Sequence, residues 1–178
     1  MAIRVVRYRP GESVTTPRSG DFLLIHGECW ISTVVYRFQR LRFRGEDRRY
    51  GYWSHVALVA SDGGRIIEAV PSGVVARSVE KYRGWEYHYV HVDAPDAARR
   101  DAVRFAESCV GRPYSVPGLL GLGLAALTGC RALLPDRGQQ SCAALVARSL
   151  ARETKVIFPW APIGMMPGDL AKYYGITP

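Results

Sequence analysis

The stretch that most restricts the fold is WSHVALVASDGGRIIEAV, residues 53–70. Two apolar runs rich in β-branched residues flank SDGG, and Asp-Gly between such runs is a strong hairpin signal. The spacing predicts strands over 53–60 and 65–70 joined by a turn at 61–64. An isolated hairpin is marginal in water, so this one needs further strands or a covering layer. The short apolar run FLLIHG, 22–27, and the alternating, aromatic-rich WEYHYVHVD, 85–93, supply candidate strands. Helical spacing marks 30–43, with Ile31, Val34, Val35, Phe38 and Leu41 on one stripe and a basic outer face. It also marks 95–111, where Pro95 suits the first turn and Gly111 the end, with Ala102, Val103, Ala106, Cys109 and Val110 as core stripe. Residues 1–20, broken by Pro10, Gly11, Pro17 and Gly20, read as irregular, and 44–51 as a polar loop. Hairpin-linked strands with grouped helices predict a single α+β domain over 1–178, built on an antiparallel sheet packed against helices. A chain of 178 residues with 48% hydrophobic and 22% charged residues can bury the core this needs. No G-x-G-x-x-G or Walker loop is present, which argues against a nucleotide-binding α/β fold.

The hairpin also carries chemistry. If the two-residue turn is 61–62, His55 faces Glu68 directly; if it is 62–63, His55 faces Val70 and Glu68 lies diagonal to it. Either register puts the imidazole and the carboxylate on one face of the sheet. Glu68 sits in an otherwise apolar strand, where an unpaired charge is costly, so it needs a partner. A plainer alternative pairs Glu68 with an arginine and leaves His55 as a strand-end histidine.

A nucleophile for such a pair is found at QQSCAALVARSL, residues 139–150. Ser141 is a good N-cap, which puts Cys142 in the first turn of a helix whose stripe is Cys142, Leu145, Val146, Ser149 and Leu150. A thiol there lies at the positive end of the helix dipole, which favours the reactive thiolate. The other cysteines, Cys29, Cys109 and Cys130, have no helix start before them, and Cys109 falls on a core stripe. None of the four forms a C-x-x-C pair, so zinc-ribbon and thioredoxin-type readings are weak and reduced thiols are expected. His26 near Cys29 is a weak metal signal, and His88 and His91, three apart, point to opposite faces of a strand. No metal or cofactor is expected.

The net charge is +8, with many arginines scattered through the first half, such as Arg37, Arg40, Arg42, Arg44, Arg48 and Arg49. Such a surface suits an anionic polymer or membrane surface, or is simply a solvated face; no specific nucleic-acid partner is expected. The charged N-terminus, MAIRVVRYRP, does not read as a secretory signal, so a cytoplasmic or phage-borne enzyme is expected. The apolar run 116–127 contains a proline and three glycines and is short of the ~20 residues of a spanning helix.

Taken together, these segments resemble a family. VGRPYS, 110–115, followed by QQSCAALV, is similar to the glycine-x-proline-tyrosine and cysteine-helix elements of NlpC/P60 cysteine peptidases. SGDFLLIHG, then WSHVALVASDGGRIIEAVPSGVV, resembles that family's glycine-aspartate strand and histidine hairpin, and MPGDL at 166–170 its closing segment. Here the histidine precedes the cysteine, as in the circularly permuted YiiX/YebB-like branch. The resemblance implies a permuted papain-like core with Cys142 as nucleophile, His55 as general base, Glu68 as orienting group and Tyr114 lining the pocket. It also implies thiol hydrolysis of an amide, such as a cell-wall peptide link, through an acyl-enzyme. Alternatives are an esterase or acyltransferase acting on lipid-like acyl substrates, or a non-catalytic binding or structural protein that retains the fold. The chain departs from the family in lacking tryptophan-glycine-glycine after the tyrosine and in its long apolar segment over 116–138.

Overall fold

A computed structural model describes residues 4–27, 30–114, 141–153, 158 and 164–178. Its centre is an antiparallel sheet of six strands: β1 (Val5–Tyr8), β2 (Phe22–Ile25), β3 (His55–Val59), β4 (Arg65–Val70), β5 (Gly73–Ser78) and β6 (Tyr87–Val90). They lie in the order β1-β6-β2-β3-β4-β5. The predicted strands therefore hold their places, and two more join them. β1 lies in the stretch expected to be irregular and pairs with β6. Its VVRY is partly exposed, as suits an edge strand with little periodic signal. β5 forms the other edge, through a two-residue turn at Pro71–Ser72.

The hairpin between β3 and β4 takes the second of the two expected registers, with Leu58 opposite Ile67 and Val59 opposite Ile66. The turn is Asp62–Gly63, closed by the Gly64 N–H donating to the Ser61 carbonyl at 3.1 Å. Gly64 has φ +79°, a left-handed conformation that a side chain would strain. This is why the sequence needs a second glycine after the Asp-Gly.

Alternation along the strands sorts the core into two layers. Leu24, Val56, Leu58, Ile67 and Ala69 face α2 (Asp96–Ser108), α3 (Cys142–Glu153) and α4 (Pro167–Tyr173). Leu23, Ile25, Ala57, Val59 and Ile66 face a thinner cover of Val14, Val79, Tyr82 and Trp85. Ala102, Val103, Ala106 and Cys109 are buried on α2 as the spacing predicts, but Val110 beyond its end is exposed.

The helix α1 (Trp30–Arg42) appears where expected but is rotated from its apolar stripe. Its fully buried side chains are Ser32, Val35 and Gln39. Gln39 is satisfied on both ends of its amide: Nε2 donates to the carbonyls of Trp53 at 2.6 Å and Gly51 at 3.3 Å, while Oε1 accepts from the Gly168 N–H at 2.7 Å. These bonds decide the rotation, because a buried amide left unpaired would be costly. The expected loop at 44–51 is a 3₁₀ helix over Gly45–Tyr52 that Gln39 ties to α1. Arg42 is also not part of a free basic surface: it pairs with Asp169 of α4 at 2.8 Å and donates to the Gly164 carbonyl. Arg37, Arg40, Arg44, Arg48 and Arg49 are exposed. No helix among the described residues is long and apolar enough to cross a membrane. The apolar run 116–127, Cys29 and Cys130 lie outside the described residues.

Candidate active site

Cys142 is the first residue of α3, and Ser141 caps it as expected: the Ala144 N–H donates to Ser141 Oγ at 3.2 Å and the Leu145 N–H to the Ser141 carbonyl at 2.9 Å. The helix is apolar nearly all round. Cys142, Ala143, Ala144, Leu145, Val146, Ala147 and Leu150 are all buried, so α3 is fixed between α2 and the sheet. First-turn amides have no acceptor within their own helix. Those of Cys142 and Ala143 stand at the start of α3, next to the sulfur.

His55 opens β3, opposite Ile25 of β2. It belongs to the face bearing Ala57 and Val59, whereas Cys142 belongs to the helical layer on the other face. The two meet because His55 is the first residue of its strand, where the ring can reach past the end of the sheet. The His55 side chain is 18% exposed and its Nε2–H donates to Glu68 Oε2 at 2.7 Å. The diagonal relation of the two residues on the hairpin is the one expected from the 62–63 turn. With Nε2 held by the carboxylate, Nδ1 is the nitrogen left for the Cys142 thiol, which lines the same recess as the ring.

Glu68 is fully buried and is held by more groups than the sequence suggested. Lys81 Nζ donates to Oε1 at 2.5 Å, the Tyr82 hydroxyl donates to Oε2, and Arg77 Nε stands 3.8 Å from Oε1. Lys81 and Tyr82 lie in a 3₁₀ turn, Val79–Tyr82, directly after β5. Both were missed because β5 was missed. The signal was available: pairing Val70 with Gly73 across Pro71–Ser72 puts Arg77 diagonal to Glu68, and the chain then delivers Lys81 and Tyr82 to the same face. The plainer expectation of an arginine partner for Glu68 is met only loosely, by Arg77.

The electrostatics follow from these contacts. Burial alone would push the Glu68 carboxyl up, but hydrogen bonding to and charge on His55, then bonds from Lys81 and Tyr82, hold it down at about 2. Burial would push the His55 imidazole down, but the charge and hydrogen bond of Cys142, followed by those of Glu68, raise it to about 9. Burial and the neighbouring Glu68 charge raise the Tyr82 phenol far above its ordinary value, so it remains a donor. The arrangement can take the thiol proton onto a buried, oriented imidazole and keep the resulting positive charge beside a carboxylate.

Tyr114 is buried beside Cys142 and lines the recesses on both sides of it. Its position is set by the edge strand. The Val74 N–H donates to the Arg112 carbonyl at 2.9 Å, and the Gly111 N–H to the Val74 carbonyl at 2.9 Å. A Cβ on Gly73 would stand 2.8 Å from the Arg112 oxygen, so the close approach requires glycine there. The VGRPY segment is in this way laced to β5 and presents its tyrosine to the thiol.

The remaining histidines stand apart. His26 stacks on Tyr52, with ring centroids 4.0 Å apart, and its Nδ1 bonds the Tyr52 carbonyl at 2.8 Å. His88 is buried against Trp53, and His91 bonds Asp21 at 3.0 Å. No group of three or more His, Cys, Asp or Glu among the described residues is placed to hold a metal ion.

No family model matches the chain, and no curated protein sequence matches it.

Proposed function

We propose that this protein is a cysteine hydrolase in which Cys142 attacks an acyl carbonyl, His55 acts as general base and then general acid, and Glu68 orients and charges the imidazole. The observation that carries this reading is the hydrogen bond from His55 to the fully buried Glu68, with Cys142 at a helix start lining the same recess as the imidazole. The thiol proton passes first to His55, leaving a thiolate beside an imidazolium; the sulfur–carbon bond then forms as the carbonyl electrons move onto oxygen, toward the Cys142 and Ala143 amides. Collapse of this adduct breaks the bond to the leaving group, which takes the proton from His55. Water then attacks the thioester, gives a proton back to His55, and frees the acid and the thiol.

An amide, such as a cell-wall peptide link, is the first target of this reading, in keeping with the resemblance to NlpC/P60 peptidases. The histidine-first order and a nucleophile helix packed on an antiparallel sheet support a permuted papain-like arrangement of that kind. A second reading, cleavage or transfer of an acyl ester, is favoured by the apolar side chains around the sulfur. Limiting iodoacetamide near pH 6 tests the nucleophile. Cys142 is expected to be labelled ahead of Cys29, Cys109 and Cys130, and His55→Ala to remove the preference. Equal labelling of the four cysteines would rule out an activated thiol. Peptide amides set against short acyl esters then divide the two readings, since turnover of esters alone, lost in Cys142→Ala, rejects the peptidase.

A further inference from the structure

We infer that the substrate is uncharged and apolar on both sides of the carbonyl attacked by Cys142, which excludes peptides that place a carboxylate near the scissile bond. The inference rests on Cys142 being the nucleophile and goes on to name what that nucleophile accepts.

Two recesses meet at the sulfur. The larger, ≈ 100 Å³, lies between Ile31 and Val35 of α1, Ala69 and Val70 at the end of β4, and Trp85. The smaller, ≈ 20 Å³, lies on the other side of Cys142 against Phe38, Met165, Met166 and Pro167. Val35, Tyr114 and Cys142 line both, so the two adjoin at the thiol. The larger recess is smaller than the roughly 150 Å³ apolar cavity that takes benzene, and so suits a short aliphatic group.

Charge sharpens the argument. Besides His55, Lys81 is the charged side chain among the described residues that lines the larger recess. Its Nζ is already 2.5 Å from Glu68 Oε1, so its charge is committed to a buried carboxylate. No charged side chain among the described residues lines the smaller recess. A substrate carboxylate entering either would shed its water and meet, among the described residues, no cation but those already paired with Glu68. It would also compete for Lys81 and loosen the group that orients His55. An apolar chain loses nothing on entry and gains from each methylene it buries.

The test uses three alkylating probes with the same warhead on the full-length protein: iodoacetamide, its N-butyl derivative, and its N-(3-carboxypropyl) derivative. Rates of Cys142 modification are read by mass spectrometry. The butyl probe is expected to react about tenfold faster than iodoacetamide, the gain from burying about two of its four carbons at a factor of roughly three to four each. The carboxypropyl probe is expected to react more slowly than iodoacetamide. Ile31→Arg and Val70→Lys, each at a half-buried position of the larger recess, are expected to reverse the order of the butyl and carboxypropyl probes. Equal rates for those two probes on the native protein overturn the inference, as does an unchanged order in both variants. Because each comparison is a ratio at one thiol, it reads the cleft independently of thiol activation. Loss of the difference between native protein and His55→Ala toward iodoacetamide overturns the nucleophile instead.

Discussion

Two buried carboxylates, Asp21 and Glu68, are surrounded by the same kinds of group, yet only one of them stands at a candidate site. Each is fully buried, and each holds a histidine, a tyrosine and a cation. Asp21 accepts from Tyr89 at 2.9 Å, His91 at 3.0 Å and the Val92 N–H at 2.9 Å, and forms an ion pair with Arg99 at 2.7 Å. Glu68 accepts from Tyr82, His55 and Lys81. The difference lies in what the partners do next. Arg99 is 2% exposed and also donates to the Val92 carbonyl, so the Asp21 cluster clamps α2 to the sheet. At Glu68 the imidazole shares an apolar recess with the Cys142 thiol. A carboxylate–histidine pair is therefore not by itself a sign of chemistry. The thiol beyond the ring and the cleft beyond the thiol make the distinction.

The comparison is broken most directly by removing each histidine. His55→Ala is expected to lower turnover of an acyl substrate by about 10²–10⁴-fold, the usual contribution of a general base, while His91→Ala leaves the rate unchanged. Equal losses would mean that both act through the fold. Removing each carboxylate should give the opposite pattern in stability. Asp21→Ala strands the buried Arg99 guanidinium and is expected to cost about 3–5 kcal/mol in urea unfolding, with Cys142 reactivity intact below the transition.

Glu68→Gln is expected to cost less stability, about 1–3 kcal/mol, because the amide can still accept bonds. Its larger effect is on pH dependence. The protonated His55 needed beside the thiolate is lost as pH rises through about 9, so activity should fall along an alkaline limb near that value. Without the Glu68 charge the imidazole loses its proton at lower pH, and the limb should move toward neutrality. A limb that stays in place would show that Glu68 does not act on His55.

Stability against pH separates a third buried group from these two. Burial, then the charge of Arg7, lowers the pKa of His88, so the folded protein keeps it neutral where the unfolded chain would protonate it. The cost grows as pH falls below about 6.5, the ordinary histidine value. Glu68, held at about 2, contributes stability that is present above its ordinary 4.5 and lost as pH falls from there through about 2. The melting temperature should therefore fall in two stages on acidification, and His88→Phe should remove the first stage alone. The smallest effect expected is that of Ser141→Ala, about 1 kcal/mol from the lost cap of α3.

Local signals made the catalytic candidates legible. The Asp-Gly turn put His55 and Glu68 on one face of the sheet in either register, and the serine cap put Cys142 at a helix start, because both are settled within a few residues. The clamp on Glu68 was hidden because it depends on β5, an edge strand whose ARS end carries no apolar alternation. The Asp21–Arg99 pair was hidden for a different reason. It joins residues 78 apart in the sequence, and an arginine on an amphipathic helix reads as solvent-facing until its partner is known. In α1 the apolar stripe pointed to the wrong rotation, since the buried Gln39 amide, with acceptors and a donor from two other segments, outweighed it.

That amide has a mechanical consequence. Gln39 and Val35 are one helical turn apart on α1. Gln39 grips the start of α4 through Gly168, and Val35 forms part of the wall of both recesses at Cys142. The gauge of the cleft and the seating of the C-terminal helix are consequently a single adjustment. Prising α4 loose would shift the partition beside the sulfur even though no residue of α1 had changed.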